Sequence, residues 1–391
     1  MKSAPVKTPV YLDHNATTPC DPRVLEVMNR VHREHFGNPA SFGHAFGWSA
    51  AALVEKARGQ VAGLIGAEPH EIVFTSGATE ADNLAVLGVA AACAEPGHLV
   101  CSVFEHEAVL EPVAGLEARG WRVTRLPADG RGLVEPALVG NALQPDTRFV
   151  AVMAAQNEIG TIQPVAGIGR ICREKGVPFF TDAVQAVAYG NIDVRRDAID
   201  LLSLSGHKIH GPKGVGALFV RAGRPHLGLV ARQLGGGQER GLRAGTLNVP
   251  GIVGLGEACV LAAECRQEET VRLGGLRDGL WKKLRAGLGD VVLNGAAEPR
   301  LPHNLNLSFP GVPAHALLGR LTRLAVSSSS ACTSGSSEPS AVLLALGVEP
   351  DLARSSLRIS LGRFTTGAEV DFAAEEIVAV VRELRRTNPP A

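Results

Sequence analysis

From Glu71 to Val220 the chain repeats one unit, a short apolar run followed by a turn and then, in most cases, a stretch with helical spacing. Strands are expected at 71–75, 98–103, 122–126, 148–153, 178–182, 201–205 and 215–220. Helical stretches fit between several of them, at about 107–119, 135–143 and 165–175, and ADNLAVLGVAA begins straight after Ser76-Gly-Ala-Thr79. Such alternation argues for a mostly parallel sheet covered by helices, an α/β fold.

The flanks read differently. Residues 10–19 are a short extended piece ending in a turn. Asp21-Pro22 then opens a helix, Asp as cap and Pro in the first position, running to about His35. A polar loop at 37–47 leads to a helix over about 48–64. Beyond the Gly/Arg-rich loop 235–248, residues 249 to about 288 read as long helical material, with Gly274-Gly275 as the expected break. The remainder, with strands at 291–293, 304–308 and 357–361 and helices at about 314–323, 338–346 and 367–386, is a smaller α+β domain. The boundaries expected are 16–262 for the large domain and 263–391 for the small one, joined by an N-terminal segment, 1–15.

Bulk properties narrow the class. Charged residues make up 20% of the 391 and cancel, which argues against a surface for nucleic acid or for acidic membrane. No stretch is apolar enough to span a bilayer, and MKSAPVKTPV lacks a signal core, so a cytoplasmic location is expected. Seven cysteines without CxxC spacing speak against a disulfide framework and a Cys-rich zinc site. One reactive thiol among inert ones fits better, and no metal site is expected.

Candidate chemistry gathers at strand ends, where ligands sit in parallel α/β proteins. After the apolar run at 201–205, the turn SGHKIHG carries Ser205, His207 and Lys208. An isolated Lys is ordinarily solvated. Beside a hydroxyl and an imidazole at a strand end, Lys208 suggests a Schiff-base lysine next to an anion site. Ser76-Gly-Ala-Thr79 lets backbone approach an anion at a helix start, or serves only as an N-cap. Asp182 ends an apolar strand, where it could hold a pyridinium nitrogen protonated or merely initiate a turn. Gln185 could donate to a ring oxygen. His106 could lie over a flat ring or simply start a helix. Asn157 follows another strand and could hold a cofactor or a carboxylate, and Arg358, on a strand, offers a fork for a substrate carboxylate. Cys332, in the loop SSSSACTSGSS, reads as an inert surface thiol or as a nucleophile delivered by a flexible loop.

Together these motifs resemble the cysteine desulfurases of the NifS/IscS-like group, in the class V aminotransferase superfamily of fold-type I pyridoxal phosphate enzymes. The resemblance runs from YLDHNATTP at Tyr11 to SLGRFTT at Thr366 and includes FTSGATEADN, EHEAVL, QNEIGTIQP, SGHKIHGPKGVGALFV, GGGQERGLRAGT and SSSSACTSGSSEPS. It implies pyridoxal 5'-phosphate on Lys208, with Ala78, Thr79, Ser205 and His207 at the phosphate. Asp182 would face the ring nitrogen, Gln185 the ring hydroxyl, and His106 would stack on the ring. Thr246 would reach the neighbouring subunit's phosphate, which implies a homodimer. Asn157 and Arg358 would hold the carboxylate of L-cysteine. Cys332 would take the sulfur as a persulfide, leaving alanine, and pass it to an acceptor or cluster-scaffold protein. The destination would be iron–sulfur cluster assembly, another thio-cofactor or tRNA thiolation. Any contact with an iron–sulfur cluster would run through Cys332.

Selenocysteine lyase, or another class V lyase or transaminase, is the alternative reading. Less well supported are a sulfur carrier with little turnover and a zinc hydrolase, since His207 and His210 lack the i,i+4 spacing of the usual helix motif. Two departures from the family pattern stand out. Ser328-Ser329-Ser330 replaces a Ser-Gly-Ser and is expected to stiffen the loop slightly. The chain stops at Asn388-Pro-Pro-Ala391, where many IscS-type members continue into a scaffold-binding tail, a departure that bears on scaffold docking and leaves the reaction assignment as it is.

Overall fold

The computed structural model describes residues 6–223, 227–328 and 338–387. In chain order its strands and helices are β1 (Val10–Tyr11), α1 (Pro22–Glu34), α2 (Ala45–Ile65), β2 (Ile72–Thr75), α3 (Ala78–Ala91), β3 (His98–Ser102), α4 (Glu107–Glu117), β4 (Arg122–Leu126), α5 (Pro136–Ala142), β5 (Thr147–Ala151), α6 (Val165–Glu174), β6 (Phe179–Asp182), β7 (Leu201–Ser205), β8 (Gly216–Val220) and α7 (Val249–Leu288). The C-terminal part follows with β9 (Val292–Leu293), β10 (Asn304–Ser308), α8 (Ala314–Arg320), β11 (Leu324–Ala325), β12 (Ser327–Ser328), α9 (Ala341–Ala345), α10 (Pro350–Arg354), β13 (Ser356–Ser360) and α11 (Gly367–Thr387).

Seven strands form the central sheet in the order β2-β8-β7-β6-β5-β3-β4. From β7 to β4 every pairing is parallel, and β8 runs antiparallel to both β7 and β2. The strands alternate sides as their period of two requires. Phe180, Leu201 and Cys101 pack with α3 and α4 on one face, and Phe179, Leu202 and Val100 pack with α2, α6 and α7 on the other. Both faces are covered, so β2, β3, β6 and β7 are buried along their whole length and read as apolar runs.

The start of α1 follows its local chemistry. Asp21 Oδ1 accepts from the Arg23 N–H and Pro22 takes the first turn. The expected break in the long helix does not occur. α7 runs unbroken through Gly274-Gly275 for 40 residues, roughly 60 Å at the α-helical rise. Each Gly costs about 1 kcal/mol against Ala. Tertiary packing on both sides offsets that, because Ile252, Leu255 and Cys259 join the large core while Leu273, Leu280 and Leu284 join a second. The helix expected over 338–346 shortens to α9, capped by the Ser340 hydroxyl on the Leu343 N–H. Pro339 has no N–H to donate and disfavours helix at Glu338.

The second core lies under the antiparallel sheet β12-β13-β10-β9 and includes Leu305, Leu307, Leu357, Ile359, Ile377 and Val381. Val10 and Leu12 belong to it. β1 pairs in parallel with β11, and Asp13 bridges to Ser360. The N-terminal segment is thereby sewn into the small unit before it crosses to the large one.

Candidate active site

Asp182 closes β6 and Ser205 closes β7, so both sit at the carboxyl edge of the parallel sheet. The turn after β7 brings up His207 and Lys208. α3 starts directly from β2 and points its N-terminus at the same place. The first-turn amides of a helix have no partner within it, so this end favours an anion. Gly77, not Ser76 or Thr79, is the N-cap, and no side chain caps the helix. Close packing supports the loop. A Cβ on Gly216 would lie 2.5 Å from the Leu204 carbonyl oxygen and 2.8 Å from the Gly77 backbone.

A cavity of about 620 Å³ opens there. Ala78, Thr79, His106, Asn157, Asp182, Gln185, Ser205, His207, Lys208 and Arg358 all line it. Of the remaining expected site residues, Thr246 is exposed and outside that lining. Cys332 lies outside the described residues.

Lys208 Nζ donates to two main-chain carbonyls, Asn15 at 2.5 Å and Ala16 at 2.9 Å. His207 Nδ1 pairs with Thr17 Oγ1 at 3.1 Å. Burial, with the charges of Lys208 and Lys213, pushes the His207 imidazole down to about 4. It is neutral at pH 7. His106 caps α4 by accepting from the Ala108 N–H while its ring also lines the cavity, so both readings of this residue hold in geometry. Asp182 likewise accepts a turn bond from the Val184 N–H at 2.9 Å and faces the cavity. Burial pushes its carboxyl up, and Val184 N–H, His106 and Lys208 act against that. Arg358 is buried on β13. It donates to Asp13 Oδ1 at 3.0 Å and to the Asn157 carbonyl at 3.3 Å, and its Nε has no partner.

The N-terminal segment supplies groups the sequence reading missed. Asn15 is the junction. Its Nδ2 donates to Gln185 Oε1 at 3.1 Å and to the Asn157 carbonyl at 3.3 Å. Its own carbonyl accepts from Gln185 Nε2 at 3.0 Å as well as from Lys208. Asp13 pairs with Arg358 and Thr17 with His207. The available signal was the dense run of polar residues in DHNATTP beside a short apolar strand. Asp82 and Glu105 were also missed. Both are buried close to Asp182, Glu105 with its carboxyl pushed up to about 8 by burial.

A lysine held by carbonyls, a buried carboxylate, a free helix N-terminus and a buried guanidinium therefore converge on one cavity. Comparison with known proteins gives the setting. Residues 10–372 match the aminotransferase class-V family. The cysteine desulfurase IscS of Anaeromyxobacter dehalogenans is 52% identical over 385 residues, 98% of this chain and 95% of that protein. This chain belongs to the cysteine desulfurases of the class-V aminotransferase family. The human cysteine desulfurase is 48% identical over 98% of this chain and 84% of its own length. Among solved structures, a NifS-like protein superposes with a TM-score of 0.89 at 37% identity, covering 96% of this chain and 99% of the other. A structure described as SspA in complex with cysteine superposes at 0.81, also at 37% identity, over 91% of this chain and all of that one. The match to the NifS-like structure covers nearly the whole chain, so the likeness extends to both the seven-stranded sheet and the smaller antiparallel one.

Proposed function

We propose that this desulfurase carries pyridoxal 5'-phosphate on Lys208 and converts L-cysteine to L-alanine, with Cys332 taking the sulfur. The carrying observation is Lys208 Nζ clamped by the Asn15 and Ala16 carbonyls inside a cavity walled by Asp182, Thr79 and Arg358. The residues present fit the cofactor. The α3 amides, Thr79, Ser205 and neutral His207 offer donors for a phosphate, and Asp182 offers an anion for a ring nitrogen. When bound, the cofactor supplies an electron sink for the bonds at the substrate's α and β carbons.

The protein's own groups do the rest. Asn157 and Arg358 orient the substrate carboxylate, with the Asp13 carboxylate fixing the fork. Lys208 Nζ carries the α proton, and Asn15 keeps that amine and Gln185 in register. The Cys332 thiolate attacks the substrate sulfur. An S–S bond forms, the C–S bond breaks with its electron pair left on carbon, and that carbon is protonated to give alanine. The persulfide is a reversible cap on the thiol and is handed to an acceptor. Iron–sulfur cluster assembly, a thio-cofactor or thiolated tRNA is the destination we assign.

The cavity lies between the two domains we assign, 16–262 and 263–391 with the segment 1–15, and Arg358 is the small domain's contribution. We also propose a homodimer. Phe42, Phe46 and Trp48 are exposed together around the start of α2, and Thr246 is free to reach outward. No helix among the described residues is long and apolar enough to cross a membrane. The six described cysteines are all free thiols, which suits the reducing cytoplasm we assign.

The test uses purified protein with L-cysteine. The wild type should be yellow, and borohydride should bleach it. Lys208→Ala should lack the band. Cys332→Ala should keep the band and lose alanine and sulfide production by at least about a hundredfold, as expected when a nucleophile is removed. Full sulfur release by Cys332→Ala would overturn the assignment.

A further inference from the structure

Two carboxyls meet behind the cavity on the sheet face covered by α3, and the charge of a third reaches both. Asp182, at the end of β6, stands in register with Ser203 of β7. Asp182 and Ser203 lie on the same face as Phe180 and Leu201, whose partners are α3 residues such as Leu84 and Ala85. α3 sets Asp82 against that pair, and Asp82 also lines the cavity. Glu105 approaches from the turn after β3.

Like charges crowded in a water-excluded group cannot all ionise. Hydrogen bonds decide which carboxyl yields. Glu105 Oε1 accepts from Ser102 Oγ at 2.5 Å and from the Met153 N–H at 2.8 Å. Asp182 accepts from the Val184 N–H and is faced by His106 and Lys208. Asp82 is fully buried, and neither of its oxygens has a hydrogen bond of good geometry, the nearby Ser203 hydroxyl being the one group that favours its charged form. A buried carboxylate without a well-formed donor is the costliest of the three to charge. The groups facing Asp82 are Asp182, Glu105 and the Ser203 hydroxyl, with no cation among them. The Ser203 hydroxyl also lacks a partner. Protonated, Asp82 gains an O–H to give to Asp182 or to Ser203.

We propose that Asp82 is a positioning residue of the active site, standing as the neutral acid behind Asp182 and leaving Asp182 as the anion that meets the cofactor ring. This rests on the pyridoxal phosphate reading above only for what Asp182 does, not for the state of Asp82. Burial first, then the charges of Asp182 and Glu105, push the Asp82 carboxyl up against the pull of the Ser203 hydroxyl.

Apo-protein and holoenzyme give separate readings. Infrared spectra of apo-protein at pH 7 should contain a protonated-carboxyl C=O band. Asp82→Asn should remove a component of that band that Glu105→Gln leaves in place. In the holoenzyme, Asp82→Ala should lower kcat/KM by roughly tenfold as Asp182 loses its support, and Asp82→Asn, the shape of the neutral acid, should recover most of that loss. A band unchanged by Asp82→Asn, or Asn no better than Ala, would overturn the proposal. Should Asp82→Ala fail to fold, the infrared comparison still decides. Should wild-type protein take up no pyridoxal phosphate, the proposed function falls while the apo-protein band still judges Asp82.

Discussion

Asn15, in the YLDHNATTP motif but given no role there, ties several site residues together. One short side chain and its carbonyl link Lys208, Gln185 and the Asn157 main chain. Replacing it with Ala leaves the Gln185 amide oxygen buried with its donor gone. An unsatisfied buried group of this kind costs about 1–3 kcal/mol. Asn15→Ala should therefore lower the Tm by several degrees and weaken pyridoxal phosphate binding, both measurable by thermal melts with and without added cofactor. A variant with unchanged melt and unchanged cofactor affinity would mean that the junction is redundant. Lys208, Asp182, Ser205 and Thr79 were legible because each sits where a strand ends or a helix starts, positions that the alternating pattern fixes. Asn15 was not. Nothing local says that a segment paired with β11 in the small unit then turns back onto Lys208. Asp82 was hidden for another reason. In ADNLAV it looks like an ordinary first-turn acid on a helix, and only the packing of α3 against the sheet buries it completely.

At the scale of elements, the Gly/Arg-rich loop 235–248 is pinned to the start of the sheet by one buried ion pair. Arg58 of α2 holds Glu239 with two bonds of 2.8 Å, and the Phe74 N–H of β2 donates to the same carboxylate at 2.7 Å. Arg58 also lies over the Phe74 ring, 4.7 Å from its centroid. Removing one partner strands the other charge out of water, at a cost of about 3–5 kcal/mol. Glu239→Ala should thus be among the more damaging single changes outside the cavity, read as a large drop in denaturation midpoint. Replacing both members with apolar residues, Arg58→Met with Glu239→Leu, should recover the stranded-charge part of it but not the bond lost at the Phe74 N–H. A single variant melting within a degree of wild type would show that water enters this pocket. The order of elements was legible almost throughout, since period-two and period-3.6 patterns are local. The continuity of α7 was not, because what carries the helix across Gly274-Gly275 is packing on two separate cores.

For the molecule as a whole, buried ionisable groups set how stability responds to pH, and they sit where its units meet. His14 in the N-terminal segment, His210 after Lys208 and His303 beside β10 fall in two ring pairs, His14 with His210 at 6.0 Å and Tyr189 with His303 at 4.9 Å. Burial first, and then neighbouring charge, pushes them down to about 4, 4 and 3, with His207 at about 4. The native state holds these rings neutral, while unfolded histidine takes a proton near pH 6.5. Below that pH the unfolded chain binds more protons, so stability falls as pH drops from about 6.5 toward 4. Burial acts oppositely on Glu105 and Glu158, raising them to about 8 and 7. Their native forms keep protons that the unfolded chain has released. Their contribution is full below the unfolded carboxyl range and is lost as pH rises through about 7 to 8. In the window between about 4.5 and 6.5 the two sets partly cancel. Above it only the carboxyls act, and below it the histidines act together with carboxylates held down by their partners, Glu80 by Arg243 and Asp129 by the Leu133 N–H and then Arg131. The Tm of apo-protein should therefore peak near pH 6 to 6.5 and decline on both sides. His303→Gln, which cannot titrate, should flatten the acid limb, and Glu105→Gln the alkaline one. A Tm that rose steadily through pH 8, or an acid limb untouched by His303→Gln, would overturn this account. Because Lys208 lies two residues from His210 and is held by the carbonyl of the residue after His14, acid opening of that seam should release the cofactor in the same pH range.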